Sequence, residues 1–204
     1  SHVFDDFSIF DNLFHWAKTA AHAFVRQQMK LLLKSIGINS YFTRALNNRY
    51  PRDPLALDLD GDGIETLGAA DASAILFNHT GDNTANGSGW LKPDDGWLVL
   101  DRNGNGTIDD GSELFGVNTQ KAPGVLATSG FDALSALDDN SDGVFNSSDS
   151  QFANVRVWRD LNQDGVSQTN ELAALTDLNI TAINLAHDQE RVDLGNGNAR
   201  IGSG

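Results

Sequence analysis

The chain has 204 residues and a formal charge of -14, with 28 acidic against 14 basic side chains and no cysteine. That length suits one good-sized domain, or one domain with an appendage, and it allows a core without cross-links. The absence of cysteine excludes a disulfide scaffold, a thiolate metal site and a cysteine nucleophile, and the charge makes nucleic acid and anionic membrane poor partners.

From Phe7 to about Ile36 apolar residues recur at three and four, which predicts one or two amphipathic helices ending near Gly37. His15 and His22 share that face and read as packing or solvent residues. A further short helix is expected over Tyr41–Asn47. After Pro54 the texture changes to short strands between Asp/Gly loops. Strands are expected at Leu55–Leu59, Ala74–Phe77, Trp97–Leu100, Val155–Trp158 and Ile180–Leu185. Short helices are expected at Ser112–Phe115, Phe131–Leu137, Asp149–Asn154 and Asn170–Leu178. The expected class is therefore α+β: a compact domain of short strands and helices with EF-hand-like loops, preceded by an amphipathic helical segment. No apolar run has the length of a membrane span, and no segment reads as a signal peptide.

The charge divides along the chain. Residues 1–57 hold four acids against seven bases, and residues 58–204 hold 24 against seven. The break falls at Arg52-Asp53-Pro54, so a flanking segment over 1–53 and a module over 54–204 are expected. Only Glu65, Glu113, Glu171 and Glu190 are glutamates, which leaves 24 aspartates. Aspartate is a poor helix former, and with 20 glycines it is the composition of turns and oxygen-ligand loops.

Four segments carry the spacing of such loops. An EF-type loop takes side-chain oxygens from positions 1, 3 and 5, a backbone carbonyl from position 7 and a bidentate acid from position 12, with glycine at position 6. Asp160, Asn162, Asp164, Val166 and Glu171 meet every requirement around Gly165. Asp138, Asn140, Asp142, Val144 and Asp149 repeat the register with a shorter closing acid, whose reach predicts weaker closure. These two loops are expected to couple as a pair. Asp101, Asn103, Asn105, Thr107 and Asp109 open correctly, and Glu113 arrives one place late. Asp58, Asp60, Asp62 and Ile64 open strongly but have no acid at position 12. That loop must borrow one, from Asp94, Asp95, Asp109 or Asp110. Asn78-x-Thr80-x-Asp82 lacks its first carboxylate and its glycine and reads as a turn. Oxygen-only ligand sets select Ca²⁺ over zinc or copper, and three to four ions are expected. They would relieve the self-repulsion of residues 58–204, so folding should depend on calcium.

Asp53-Pro54 stands five residues before Asp58, at most about 17 Å of extended chain. The Asp53 carboxylate can reach its own carbonyl carbon to close a five-membered anhydride, with the Pro54 nitrogen as leaving group. Tyr50, His79 and the loop aspartates are candidate proton donors.

Pro51-Arg-Asp-Pro-Leu-Ala-Leu-Asp-Leu-Asp-Gly-Asp-Gly-Ile-Glu-Thr66 resembles the start of the self-processing module of FrpC-type RTX proteins. So do Asp101-Arg-Asn-Gly-Asn-Gly106, Gly111-Ser-Glu-Leu-Phe-Gly116, Val157-Trp-Arg-Asp-Leu-Asn-Gln-Asp-Gly165 and Asn170-Glu-Leu172. The resemblance runs from about Arg52 to Gly197, with a degraded cluster at Asn78–Asp82. It implies calcium-triggered cleavage after Asp53 and transfer of the activated Asp53 to a lysine of another protein, as an isopeptide cross-link. It also implies type I secretion into calcium-rich surroundings. A monomer with a lysine-bearing acceptor is expected. The alternative is a non-catalytic, calcium-stiffened binding or spacer module, which has no use for Asp53-Pro54 beside the first loop.

Overall fold

Alternation along one short strand organises the interior. In Gly96–Val99 every residue is buried, because side chains of a strand leave on opposite faces and both faces are covered. The computed structural model describes residues 53–68, 75–195 and 198–204. The helices expected before Pro51, with His15, His22 and Tyr50, lie outside the described residues, as does Ala74. The described residues belong to one compact unit, Arg52–Gly204.

Fourteen short strands and one helix follow in order. They are β1 (Ala56–Leu57), β2 (Thr66–Leu67), β3 (Leu76–Phe77), β4 (Asn86–Gly87), β5 (Trp90–Leu91), β6 (Gly96–Val99), β7 (Gln120–Ala122) and β8 (Val125–Leu126). Then come helix α1 (Gly130–Ser135) and strands β9 (Val144–Asn146), β10 (Arg156–Trp158), β11 (Leu172–Ala174), β12 (Ala182–Asn184), β13 (Arg191–Gly195) and β14 (Asn198–Ile201). The central antiparallel sheet has the order β1-β6-β10-β11, with Ala56 opposite Trp97, Leu98 opposite Val157, and Val157 opposite Ala173. The other strands form two-stranded antiparallel pairs around it.

The sheet separates two cores. Leu98 and Val157 point into one, with Phe115, Ala133, Leu134, Phe145, Phe152 and Val155. Trp97, Val99 and Trp158 point into the other, with Ile75, Phe77, Trp90, Ile108 and Leu114. There Trp90 meets Trp97 and Trp158 edge-on, with ring centroids 5.7 and 5.4 Å apart, an arrangement that aromatic quadrupoles favour. His79 turns into the same cluster, its Nε2 2.7 Å from Ser88 Oγ.

The α+β expectation is wrong. The domain is built of small antiparallel sheets, and α1 is the single α-helix among the described residues. Its start is set by Ser129, whose Oγ accepts the Asp132 amide. The helices expected at Ser112–Phe115 and Asp149–Asn154 are turns. Asn170–Leu178 splits into 3₁₀ turns at Thr169–Glu171 and Leu175–Leu178 around β11. Leu172–Ala174 pair with β10 instead, since a short helix gains little by itself against the cost of nucleation. The loops are accordingly flanked by strands and turns, not by the two helices of an EF-hand. The five expected strands are present: 56–57, 76–77, 156–158 and 182–184 are shorter than anticipated, and 96–99 is shifted by one residue from Trp97–Leu100.

Candidate metal loops and the Asp53–Pro54 bond

The four loops share one backbone winding. Positions 4 and 6 have positive φ in each: Gly61 and Gly63, Gly104 and Gly106, Ser141 and Gly143, Gln163 and Gly165. Glycine suits this region because it lacks a Cβ. The first aspartate of each loop then accepts amides from inside the turn. Asp58 takes those of Gly61 at 2.7 Å and Gly63 at 3.0 Å, and Asp101 those of Gly104 at 2.7 Å and Gly106 at 2.8 Å. Asp138 takes those of Asp142 at 3.3 Å and Gly143 at 2.9 Å, and Asp160 those of Asp164 at 3.1 Å and Gly165 at 2.9 Å. Asn78–Asn83 follows the same path, with positive φ at Gly81 and Asn83 and the Asp82 amide on Asn78 Oδ1.

The closing acids show the same economy of pattern. In the loops headed by Asp101, Asp138 and Asp160 each receives the amides of loop positions 2 and 9. Glu171 takes Leu161 at 2.8 Å and Gln168 at 3.2 Å, and Asp149 takes Asp139 and Asn146, both at 2.8 Å. Glu113 takes Arg102 at 3.1 Å and Asp109 at 2.7 Å, so its late arrival does not prevent closure. The shorter Asp149 also reaches both amides.

The first loop closes on Asp95. Its Oδ2 accepts the Glu65 amide at 2.9 Å, and the Leu59 amide also favours its charged form. One carboxylate oxygen from each of Asp58, Asp60 and Asp95 lies within 4.8 Å of the others. Asp95, Glu113, Asp149 and Glu171 are only 2–3 % exposed. Burial pushes the carboxyls of Asp95, Glu113 and Asp160 above the ordinary range. Asp62 is pushed up by hydrogen bonding and repulsion from Asp60. By contrast the Asn105 and Asn103 amides hold Asp109 low.

The position-7 residues Thr107, Val144 and Val166 each donate an amide to the position-5 oxygen, at 2.9, 2.9 and 2.8 Å. Ile64 instead packs against the tryptophan core. The side chains at positions 3 and 5 are exposed, Asn140 and Asn162 leaning 2.8 and 2.9 Å onto Asp142 and Asp164. Four buried oxygens have no protein partner among the described residues: Asp94 Oδ1 and Asp95 Oδ1 beside the first loop, and Gln163 Oε1 and Gln168 Oε1 at positions 4 and 9 of the last. Orphaned acceptors beside clustered carboxylates fit a hard cation such as Ca²⁺.

Loops 138–149 and 160–171 do not pair as expected. The strand after Gly143, β9, pairs with β12. The partner of loop 160–171 is loop 101–113, where the Ile108 amide donates to buried Ser167 Oγ at 2.6 Å. Both residues stand at position 8 of their loops. The tryptophans are a further contribution that spacing could not reveal. Trp90 Nε1 donates to Asp160 Oδ2 at 2.8 Å, and Trp158 Nε1 to Glu171 Oε2 at 3.3 Å.

Asp53–Pro54 is half-buried. The Leu55 amide bonds to the Phe115 carbonyl at 2.8 Å, and the Val117 amide to Asp53 Oδ1 at 3.2 Å. A Cβ on Gly116 would lie 3.3 Å from the Asp53 carbonyl oxygen and 3.4 Å from the Pro54 nitrogen. A Cβ on Gly130 would lie 3.1 Å from that same oxygen. Burial raises the Asp53 carboxyl above 3.8, and the Val117 amide opposes that shift. His79, buried beside Ser88, points its ring into the tryptophan core.

Fold and loops together define a strand-rich domain with four closed, aspartate-headed loops. The chain belongs to the SPM domain family, whose model matches residues 55–204. It is 52% identical over 146 residues to "Iron-regulated protein FrpA" of Neisseria meningitidis serogroup C, and is thereby related to FrpA- and FrpC-type RTX proteins. That match covers 72% of this chain and 13% of the relative. Among the described residues no helix is long and apolar enough to cross a membrane.

Proposed function

We propose that this domain is a calcium-triggered, single-turnover autoprotease and ligase acting on its own Asp53–Pro54 bond. The observation that carries the reading is the seating of that bond: the Asp53 carboxylate is held by the Val117 amide while Gly116 packs against the Asp53 carbonyl oxygen and the Pro54 nitrogen. A spacer would have no use for such a seat. The Asp53 carboxylate attacks its own carbonyl carbon and forms the C–O bond of a five-membered ring. The C–N bond to Pro54 breaks, and the nitrogen leaves as an amine after gaining one proton. The cyclic anhydride is then opened by a lysine amine of an acceptor protein, which loses a proton as the new amide forms; water in that role yields a free acid. Holding reacting groups in place supplies effective molarities on the order of 10⁵–10⁸ M in favourable cases, so orientation is the main lever.

Asp58, Asp60, Asp62 and Asp95, with the loops at 101–113, 138–149 and 160–171, would hold three to four Ca²⁺ ions. Bound calcium supplies charge neutralisation and folding free energy to a strongly acidic domain. The relation to an RTX-type protein supports a secreted setting, where calcium is plentiful, and the intramolecular step needs only a monomer.

The test is a gel and intact-mass measurement of the purified chain, with millimolar calcium or with chelator. Calcium should yield pieces of 53 and 151 residues. An added amine should appear as an amide on Asp53. An intact chain in calcium would defeat the proposal, and a cut that only ever leaves a free acid would defeat its ligase half.

A further inference from the structure

The segment from Glu113 to Thr119 joins a calcium loop to the reacting bond. Glu113 closes loop 101–113 through the Arg102 and Asp109 amides, and its carbonyl accepts the Leu100 amide at 2.9 Å. Two residues on, the Phe115 carbonyl anchors Leu55. Gly116 then lies against the Asp53–Pro54 peptide, and Val117 donates to the Asp53 carboxylate. This reversal is held from inside by Thr119, which is 1% exposed. Its hydroxyl accepts the Gly116 amide at 2.9 Å and donates to the Leu114 carbonyl at 2.6 Å, while its own amide bonds to the Gly116 carbonyl at 2.9 Å. One hydroxyl therefore fixes the peptide on each side of Phe115, and the Thr119 amide fixes the one after Gly116.

Gly116 is bare for reasons of space. Its φ is not in the left-handed region, and the three nearest atoms to an added Cβ all belong to Asp53 and Pro54. A methyl there would press on the bond itself. Asn118 anchors the far side of the turn, its Nδ2 donating to the His79 carbonyl at 2.7 Å.

We propose that Thr119 and Gly116 are positioning residues for the Asp53–Pro54 bond: Thr119 locks the turn that aims the Val117 amide at Asp53, and Gly116 leaves the slot in which the bond lies. This rests on the self-cleavage reading above. The turn also makes loop 101–113, which ends on Glu113, the calcium loop mechanically nearest the chemistry.

The experiment uses the full chain with Thr119→Val, Thr119→Ser and Gly116→Ala. Calcium-dependent folding is followed by tryptophan emission, and the first-order cleavage rate is measured at saturating calcium. Amide exchange at Val117 is measured in an Asp53→Asn background, which keeps the chain intact. Thr119→Val should fold with an unchanged calcium midpoint, cut at least about tenfold more slowly and exchange faster at Val117. Thr119→Ser, which restores the hydroxyl, should recover most of the rate. If Thr119→Val does not fold, Gly116→Ala decides: it should fold and cut at least about tenfold more slowly. Parent-like rates in the folded variants, or failure of serine to rescue a folded Thr119→Val, would overturn the inference alone. A parent chain that never cuts in calcium would overturn the cleavage reading and this inference with it.

Discussion

The indole of Trp90 donates a hydrogen bond to the carboxylate of Asp160 across 70 residues of sequence, at 2.8 Å. The first residue of the most complete aspartate-headed loop is thereby wired to the tryptophan core. Tryptophan emission should therefore report calcium binding directly. Trp90→Phe keeps the ring packing but removes this donor, and a hydrogen bond to a charged group contributes about 1.5–3 kcal/mol. The calcium midpoint for folding should rise by about tenfold or more. Asp160→Ala should abolish the transition, and Asp82→Ala, in the loop headed by Asn78, should change it little. Equal effects from all three would mean that the Asn78 loop carries an ion of comparable weight.

Asp95 serves as the distant closing acid of the first loop, with an Oδ1 that no protein donor satisfies. Asp95→Asn should weaken calcium binding at that loop by about tenfold or more, since it removes the charge while keeping the shape. Asp94→Asn should weaken it less. Isothermal titration of both variants checks the ranking, and a larger loss from Asp94→Asn would reverse it.

Burial holds the Asp53 carboxyl above its ordinary value of 3.8. The attacking form is the carboxylate, so cleavage should be slow in acid and rise with pH through a midpoint above 3.8. In stability the sign is opposite: a raised folded pKa favours the fold below the unfolded value and ceases to as pH climbs through the folded one. Initial cleavage rates from pH 3.5 to 7.5 at saturating calcium, with tryptophan emission confirming the fold at each point, test the first statement. Asp53→Asn should remain uncut across the range. Parent-like cutting by that variant would end the anhydride mechanism.

Asp132 connects the β7–β8 hairpin to α1. Its carboxylate accepts from Lys121 Nζ at 2.6 Å and from the Thr128 amide and hydroxyl at 2.8 and 2.9 Å, and Lys121 chiefly holds its carboxyl down at about 2. A depressed folded pKa gives stability that is complete above about 3.8 and fades as pH falls through about 2. Asp132→Asn should therefore lower the melting temperature near neutral pH, with the difference shrinking toward pH 2. A constant difference across that window would show that Asp132 acts through its shape alone.

Much of the site was legible in the chain because loop chemistry is local. Asp, Asn and Gly at alternate positions wind the same turn in each of these loops, since the first carboxylate bonds to amides three to five residues along. The Asp53–Pro54 bond stands out in the sequence for the same reason, since the reactivity proposed for it lies within one residue. Apolar runs also predicted strands at Leu55–Leu59, Trp97–Leu100 and Val155–Trp158, where the structure has 56–57, 96–99 and 156–158. The helix expected at Asn170–Leu178 was misjudged because its apolar spacing of three, at Leu172, Leu175 and Leu178, fits 3₁₀ turns and a paired strand equally well. Sheet pairing, a nonlocal term, settled that choice. The same nonlocal terms decided that loop 160–171 meets loop 101–113, that Asp95 closes the first loop, and that Trp90 and Trp158 support Asp160 and Glu171. They also brought Gly116, Val117 and Thr119 to Asp53 from more than 60 residues away. Composition determined that this protein would gather acidic oxygen around turns. Only the packing of two cores about one buried strand decided which turns face one another and which amide holds the Asp53 carboxylate.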